Sequence, residues 1–302
     1  MSLPGISLEG WRQRRRGREP RSRPLRVAVV GEGPLAQEVT RRLAGRGTAE
    51  VILSSESPGA REQAIRSLGH AVRHTVRLEG AAPTDALIAC AAAGTGGRLP
   101  ASRVADLALW AARTCPDSAL IIAASGGLSL SREASRASGL SPYLILSPGG
   151  MPRAVATAAE VAGALGVSAA QVQIPVIGGD DSAQPSHALW GYATVSGMPV
   201  REMSPVRTQG HRAARNPSDI ALAAAATTLA LAVTEDRRQV LCCGCWVEGS
   251  YGIPGAFVTA PVPVGLRGAE EPIPLRLTLE ERSLLQRAAV YLQSPAATNA
   301  PQ

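Results

Sequence analysis

Residues 25–36 read LRVAVVGEGPLA, and this stretch decides the fold. Its first six residues form an apolar, mostly β-branched run that ends at Gly31, and helix-forming residues continue from Gln37. Gly31 permits a tight turn, Gly33 allows close approach of backbone, and Ala36 allows the helix to pack on the strand. A buried strand, a glycine turn and a helix in this order predict a dinucleotide-binding βαβ unit.

Strand-like and helix-like segments alternate through the first half of the chain. The strand-like runs are apolar throughout, which indicates a parallel sheet covered by helices on both faces. A doubly wound α/β domain is therefore predicted. Its strands are expected at residues 25–30, 50–53, 86–91 and 119–123, and its helices at 37–44, 59–68 and 103–114.

From about residue 148 the pattern becomes that of an α+β domain. The last helix has Thr278 as N-cap and Glu281 as its capping-box partner. We predict an arm at residues 1–24, a dinucleotide-binding-like domain at 25–147, a second domain at 148–294 and a tail at 295–302. In the second domain, helices are expected at 153–165, near 189, at 219–234 and at 279–292, and strand-like runs at 171–177, 239–247, 255–262 and 273–277.

Composition narrows the function classes. Of 302 residues, 45% are hydrophobic, which suffices for a packed core, and 3% are aromatic, which argues against base-stacking platforms. Five cysteines without a second Cys/His cluster predict a reducing compartment, a cytoplasmic location and no metal site. The longest apolar stretch, 220–233, is too short to span a bilayer, so no membrane role is expected.

The positive charge is concentrated at the amino terminus. Residues 1–26 contain eight arginines and two glutamates, and so carry +6 of the formal net charge of +7. The arm lacks the apolar segment of a signal peptide and is predicted to be a solvated tail. The alternative is that it attaches the protein to nucleic acid or another anionic surface, which is the one nucleic-acid role the sequence leaves open.

The glycine turn departs from the usual fingerprint at two positions. Pro34 removes one backbone donor near the expected phosphate, and Ser55 stands where an acidic residue usually binds the ribose. Without that carboxylate, we expect weak nucleotide binding with NADP slightly preferred over NAD. The nucleotide-binding residues predicted from this turn are Gly31, Gly33, Pro34, Leu35 and Ser55.

Further motifs carry a resemblance to a known family. They are CPD at residues 115–117, GALGVS at 163–168, LWGYATVSGMP at 189–199 and EGSYGI at 248–253. With the glycine turn, they resemble the lactate/malate dehydrogenases, most closely the malate-type branch. The resemblance implies a Rossmann domain followed by a catalytic domain, an NAD(P) cofactor and a homo-oligomer, either a dimer or a tetramer.

The residues that carry the family's chemistry are mostly replaced. Such an enzyme needs a histidine base, an aspartate that orients it and an arginine that binds the substrate carboxylate. Alignment of the motifs puts Gly179 at the histidine, Arg153 at the aspartate and Ala156 at the arginine. Ser125 takes the place of the asparagine that follows the fourth strand, and we include it among the nucleotide-binding candidates.

Two interpretations remain open. Arg103 matches an arginine of the family's substrate loop, Arg153 could bind a carboxylate if the helix start shifts by one turn, and Asp180 or His187 could replace the base. The first interpretation is a dehydrogenase-like protein that has lost 2-hydroxy-acid oxidoreduction and keeps a binding or oligomer-forming role. The second is an active NAD(P)-dependent oxidoreductase with a rebuilt site, acting on a 2-hydroxy or 2-oxo acid or another carbonyl compound.

Overall fold

The computed structural model describes residues 24–55, 59, 62, 65–66, 72–75, 78–91, 98–180, 186–203 and 218–293. The predicted arm, the predicted tail and most of the predicted helix at 59–68 lie outside these residues. Among the described residues, no helix is long and apolar enough to cross a membrane.

The first half of the chain forms a six-stranded parallel sheet. Its strands are β1 (Arg26–Val30), β2 (Glu50–Ser54), β3 (Arg73–Thr75), β4 (Ala86–Cys90), β5 (Ala119–Ala123) and β6 (Ile145–Leu146). The strand order is β3-β2-β1-β4-β5-β6, so the chain reverses its direction of growth between β1 and β4. β1, β4 and β5 are almost wholly buried, as continuous apolar runs require in a sheet covered on both faces. The predicted doubly wound fold is confirmed.

Three helices with described bounds connect these strands: α1 (Pro34–Ala44), α2 (Ala101–Thr114) and α3 (Gly127–Ser138). The described residues 59, 62, 65 and 66, between β2 and β3, are helical as well. α1 starts with proline at its first position, where the missing N–H has no intrahelical partner to lose, and it buries Leu35, Val39 and Leu43. α3 was not predicted from the sequence, because it opens with glycine and serine and lacks a side-chain cap of its own.

The second half adds antiparallel sheets and three helices. The helices are α4 (Met151–Leu165), α5 (Asp219–Thr234) and α6 (Leu279–Gln293). A small sheet has the order β11-β10-β7, and a larger one the order β12-β13-β8-β9 with β14 beside β13. The strands are β7 (Val172–Gln173), β8 (Val176–Gly178), β9 (Ser186–Ala188), β10 (Thr194–Val195), β11 (Met198–Pro199), β12 (Gln239–Val247), β13 (Ala256–Gly265) and β14 (Gly268–Ala269). Short 3₁₀ helices lie at Leu78–Ala81, Pro142–Leu144, Ala169–Gln171, Trp190–Tyr192, Val200–Glu202 and Ser250–Gly252.

Two predicted elements of the second half are wrong. The run at 273–277 forms no strand, because Pro272 and Pro274 lack the N–H groups that a ladder needs. The expected helix near residue 189 is only the 3₁₀ turn Trp190–Tyr192. The capping box is confirmed, since Thr278 N donates to Glu281 Oε2 and Glu281 N donates to Thr278 Oγ1.

A close backbone approach joins the parallel sheet to the antiparallel one. Ser147, just after β6, and Gly244, in the middle of β12, exchange two backbone hydrogen bonds of 3.0 and 2.9 Å. A Cβ on Gly244 would lie 2.0 Å from Ser147 Oγ and 2.6 Å from Leu128 Cδ2. Only glycine lets the strands meet here, and one apolar core extends across both sheets.

Gly244→Ala is therefore expected to lower the free energy of unfolding by about 1–3 kcal/mol, the usual cost of overpacking a buried site. Gly163→Ala is the matched control, because a Cβ there meets no atom within 4 Å and lies in the interior of α4. The control should gain roughly 0.5–1 kcal/mol from helix propensity. Chemical denaturation measures both variants, and equal stabilities would contradict the proposed close approach.

The start of β1 fixes where the arm can be removed. Arg26 N donates to Asp85 Oδ2 at 2.8 Å, and Arg26 Nε pairs with Glu50 Oε2 at 2.6 Å. A deletion of residues 1–26, which the charge count suggests, would therefore break the first strand. We expect deletion of residues 1–23 to leave the melting temperature unchanged and to abolish salt-sensitive retention on DNA. A melting temperature several degrees lower would mean that the arm packs on the body.

Candidate functional site

The glycine turn lies at the carboxyl edge of the parallel sheet, beside the point where strand order reverses. Gly31 has φ +146°, and a Cβ on it would lie 2.7 Å from the carbonyl oxygen of Cys90 at the end of β4. Gly31 N donates to Ser54 O at 3.2 Å, which fixes the turn to the end of β2. Ligands of doubly wound sheets bind in the crevice at such a switch point.

The amino terminus of α1 opens onto this turn. The first intrahelical bond runs from Gln37 N to Gly33 O at 3.1 Å, so the N–H groups of Leu35 and Ala36 precede the helical ladder. Gly33, the N-cap, has φ +92° and no side chain to bond those groups. Pro34 lacks an N–H, as predicted, but two donors and the positive end of the helix dipole remain available for an anion.

The end of β2 holds a carboxylate that the sequence analysis missed. Ser55 is 5% exposed, and its hydroxyl donates to Glu32 Oε1 at 3.1 Å. Position 55 itself carries no carboxylate, but the carboxylate of Glu32 lies within hydrogen-bond distance of it. Glu32 occupies the variable position of the Gly-x-Gly pattern, and only the folded turn places it beside a serine 23 residues away.

Ser125 follows β5 at the same edge of the sheet. Its Oγ is buried and has no hydrogen-bond partner among the described residues. Gly126 next to it adopts a left-handed conformation with φ +67°, from which α3 begins. A buried hydroxyl without a partner is costly, so a ligand that bonds it would recover that cost.

Asp180 acts as the cap of α3. Its Oδ2 accepts a 3.0 Å hydrogen bond from Leu128 N in the first turn of that helix. A carboxylate at a helix amino terminus also interacts favourably with the helix dipole. Gly179, where the family's histidine was expected, is buried, and its carbonyl accepts a 3.4 Å hydrogen bond from Thr259 Oγ1. The structure thus gives Asp180 a structural role.

Arg153 and His187 lie close enough to interact. His187 is on β9 and Arg153 is in the first turn of α4, and both are half-buried. Burial lowers the pKa of His187 below its usual 6.5, the charges of Arg153 and Arg287 lower it further, and Glu280 opposes them. Burial also lowers the pKa of Arg153. Burial and the neighbouring cations thus both disfavour the protonated form of this histidine.

Arg103 and Arg98 lie at the entrance to α2. Arg103 is the third residue of that helix and is half-buried, whereas Arg98 precedes it and is exposed. The loop residues 92–97 and the turn residues 181–185 lie outside the described residues, and so do His70 and His211.

The described residues contain no group of three or more His, Cys, Asp or Glu side chains able to hold a metal ion. Cys243 and Cys245 on β12 are buried in the core, whereas Cys242 is only partly buried. Burial raises the pKa of Cys242 to about 11, so this thiol remains protonated at neutral pH and is a poor nucleophile and ligand.

Comparison with curated proteins identifies relatives over most of the chain. The malate dehydrogenase of Thermomicrobium roseum is 27% identical over 295 residues, covering 87% of this chain and 94% of the relative. The malate dehydrogenase of Synechocystis is 25% identical over 297 residues, covering 87% and 90%. No protein-family model matches the chain.

Solved structures have the same fold. The malate dehydrogenase of Cryptosporidium parvum superposes with a TM-score of 0.79 at 19% identity, covering 90% of this chain and 97% of that one. A lactate dehydrogenase of the same organism, complexed with lactic acid and nicotinamide adenine dinucleotide, gives 0.78 at 21% identity, covering 92% and 99%. The resemblance predicted from the motifs is confirmed, as is the predicted two-part fold.

The contact between Arg153 and His187 can be tested by titration. Arg153→Gln removes a positive charge and should raise the pKa of His187 toward 6.5. Because the folded-state pKa is the lower one, wild-type stability should fall as pH drops below about 6.5, and the variant should lose less of it. NMR titration of the imidazole resonances measures the shift. Arg113→Gln, at the exposed end of α2, is the control and should leave this pKa unchanged.

Proposed function

We propose that this malate/lactate dehydrogenase-like chain binds a nicotinamide dinucleotide at the turn of residues 31–36 and does not interconvert 2-hydroxy and 2-oxo acids. One observation carries the second half of the proposal. Where the reaction needs a base oriented by a carboxylate, the chain has Asp180 bonded to Leu128 N and a histidine whose pKa is lowered by burial and by the charge of Arg153.

The proposed cofactor binding is supported by the backbone of the glycine turn and by one buried hydroxyl without a described hydrogen-bond partner. Gly31 and Gly33 hold the turn open, and the N–H groups of Leu35 and Ala36 point along the helix axis toward a pyrophosphate position. Ser125 Oγ, buried without a described partner, can bond the nicotinamide end. When bound, a nicotinamide supplies hydride transfer. The Cryptosporidium parvum lactate dehydrogenase, which has the same fold, was solved with such a dinucleotide.

The proposed loss of 2-hydroxy-acid chemistry follows from what the histidine base needs when it takes the substrate's hydroxyl proton. A histidine that takes the hydroxyl proton becomes an imidazolium, which a neighbouring carboxylate stabilises and a neighbouring cation destabilises. Burial lowers the pKa of His187 most, and the charges of Arg153 and Arg287 lower it further, so all three disfavour the imidazolium. Removing one general base typically costs about 10²–10⁴-fold in rate. Here the orienting acid and the carboxylate-binding arginine are replaced as well.

A second candidate function rests on the same pair of residues. A neutral imidazole can accept a proton, and a half-buried arginine close to it can bind an anion, so Arg153 and His187 together contain the minimum of an oxidoreductase site. Such a site would act on a carbonyl compound whose negative charge lies at a different position from the carboxylate of a 2-oxo acid. It requires the substrate's own anion to neutralise Arg153.

Two further expectations from the sequence concern the oligomeric state and the preference for NADP over NAD. The homo-oligomeric state implied by the resemblance stays a prediction, which light scattering of the purified chain can measure. The slight preference for NADP rests on the assumption that Ser55 leaves the ribose without a carboxylate, and the hydrogen bond from Ser55 to Glu32 removes that premise.

The activity half is tested by following oxidation of NADH and NADPH with oxaloacetate and with pyruvate. We expect no rate above a control without protein, although typical enzymes turn over at about 1–10³ s⁻¹. Calorimetric titration with the same nucleotides should show binding. Turnover of either substrate would refute the activity half, and its loss in His187→Asn would assign that turnover to His187. Absence of nucleotide binding would refute the cofactor half.

A further inference from the structure

We infer that Glu32 is the specificity-determining residue for the ribose of the bound dinucleotide, and that it selects NAD(H) over NADP(H). Its carboxylate replaces the acidic side chain that would otherwise follow β2. This inference rests on the proposed nucleotide binding at the turn, and it adds a choice between two classes of ligand that the proposed function leaves open.

The position of Ser55 is fixed by the sheet. Its N–H donates to Thr75 O at 3.2 Å, which continues the β2–β3 ladder by one residue. The preceding residue, Ser54, accepts from Gly31 N at 3.2 Å, so the end of β2 and the glycine turn are held together. The place where a ribose carboxylate is usually anchored is therefore intact, although its residue is a serine.

Ser55 turns Glu32 toward that place. The serine is 5% exposed and donates to Glu32 Oε1 at 3.1 Å, while Glu32 itself is only partly buried. An ionised carboxylate offers about four acceptor sites on its two oxygens. It can therefore accept the serine hydroxyl and, in addition, a ribose hydroxyl that enters from the crevice.

The same charge works against a phosphorylated ribose. A 2′-phosphate brought to this end of β2 would place like charges side by side, and the serine cannot offset them because its hydroxyl already donates to Glu32. Among the described residues of the neighbouring strand β3, Arg73 pairs with Glu50 at the opposite end of the strand. The carboxylate of Glu32 at this edge thus favours a free diol over a 2′-phosphate.

The experiment uses probes that lack nicotinamide, so that it does not depend on the substrate end of the crevice. Calorimetry on the full chain compares ADP-ribose with its 2′-phosphate derivative. We expect the wild-type protein to bind ADP-ribose with an affinity about tenfold or more higher than that for the 2′-phosphate derivative. A difference of this size corresponds to one charge-assisted hydrogen bond. Glu32→Gln keeps an acceptor for Ser55, removes the charge and should reduce the preference to about threefold or less.

Glu38→Gln is the matched control. Glu38 lies on α1, pairs with Arg42 at 2.7 Å, and carries the same charge as Glu32 away from β2. Its removal should leave the preference unchanged. Ser55→Ala, which keeps the carboxylate but removes the hydroxyl that orients it, should weaken ADP-ribose binding and keep the preference in the same direction. Thermal unfolding of each variant checks that the fold is retained.

The outcomes separate the inference from the proposed function. Wild-type binding without preference, or with preference for the 2′-phosphate, overturns the inference and leaves nucleotide binding standing. A preference that Glu32→Gln and Glu38→Gln change equally also overturns it. If neither probe binds and NADH and NADPH do not bind either, the proposed cofactor site is refuted, and the inference with it.

Discussion

The pair of backbone hydrogen bonds between Ser147 and Gly244 is the contact on which the arrangement of both halves depends. It links the last strand of the parallel sheet to the centre of the longest antiparallel pair, β12 and β13. The two backbone segments can approach to hydrogen-bond distance only where side chains are absent. Gly149, with φ +51°, shows this, because a Cβ on it would lie 2.4 Å from Gly244 N. The two sheets therefore share one core through a junction made of main chain.

The residues next to that junction are also closely packed. Gly150 N donates to Thr259 Oγ1 at 3.0 Å, and a Cβ on Gly150 would lie 2.5 Å from Val176 Cγ2. Thr259 in turn bonds Gly179, and the next residue, Asp180, caps α3. Thr259 and Asp180 thus each bond main-chain groups in the region between the sheets.

Sequence reasoning succeeded where the cause of structure is local. β1, α5 and the capping box of Thr278 and Glu281 depend on residues within a few positions of one another, and all three are confirmed. It failed where the cause is distant. The cap of α3 comes from Asp180, 52 residues from Leu128, and the partner of Ser55 is 23 residues away. A helix that begins with glycine and serine gives no local sign of a cap supplied from elsewhere in the chain.

The two ends of the crevice differ in how much substitution they tolerate. Nucleotide binding relies on backbone donors, glycine conformations and a carboxylate near the ribose, so a carboxylate lost after β2 can be supplied from the turn by Glu32. Hydride and proton transfer instead require particular atoms within hydrogen-bond reach of the reacting carbon and oxygen. The proposed function rests on this difference, because burial and the charge of Arg153 both disfavour the imidazolium form of His187 that proton transfer would require.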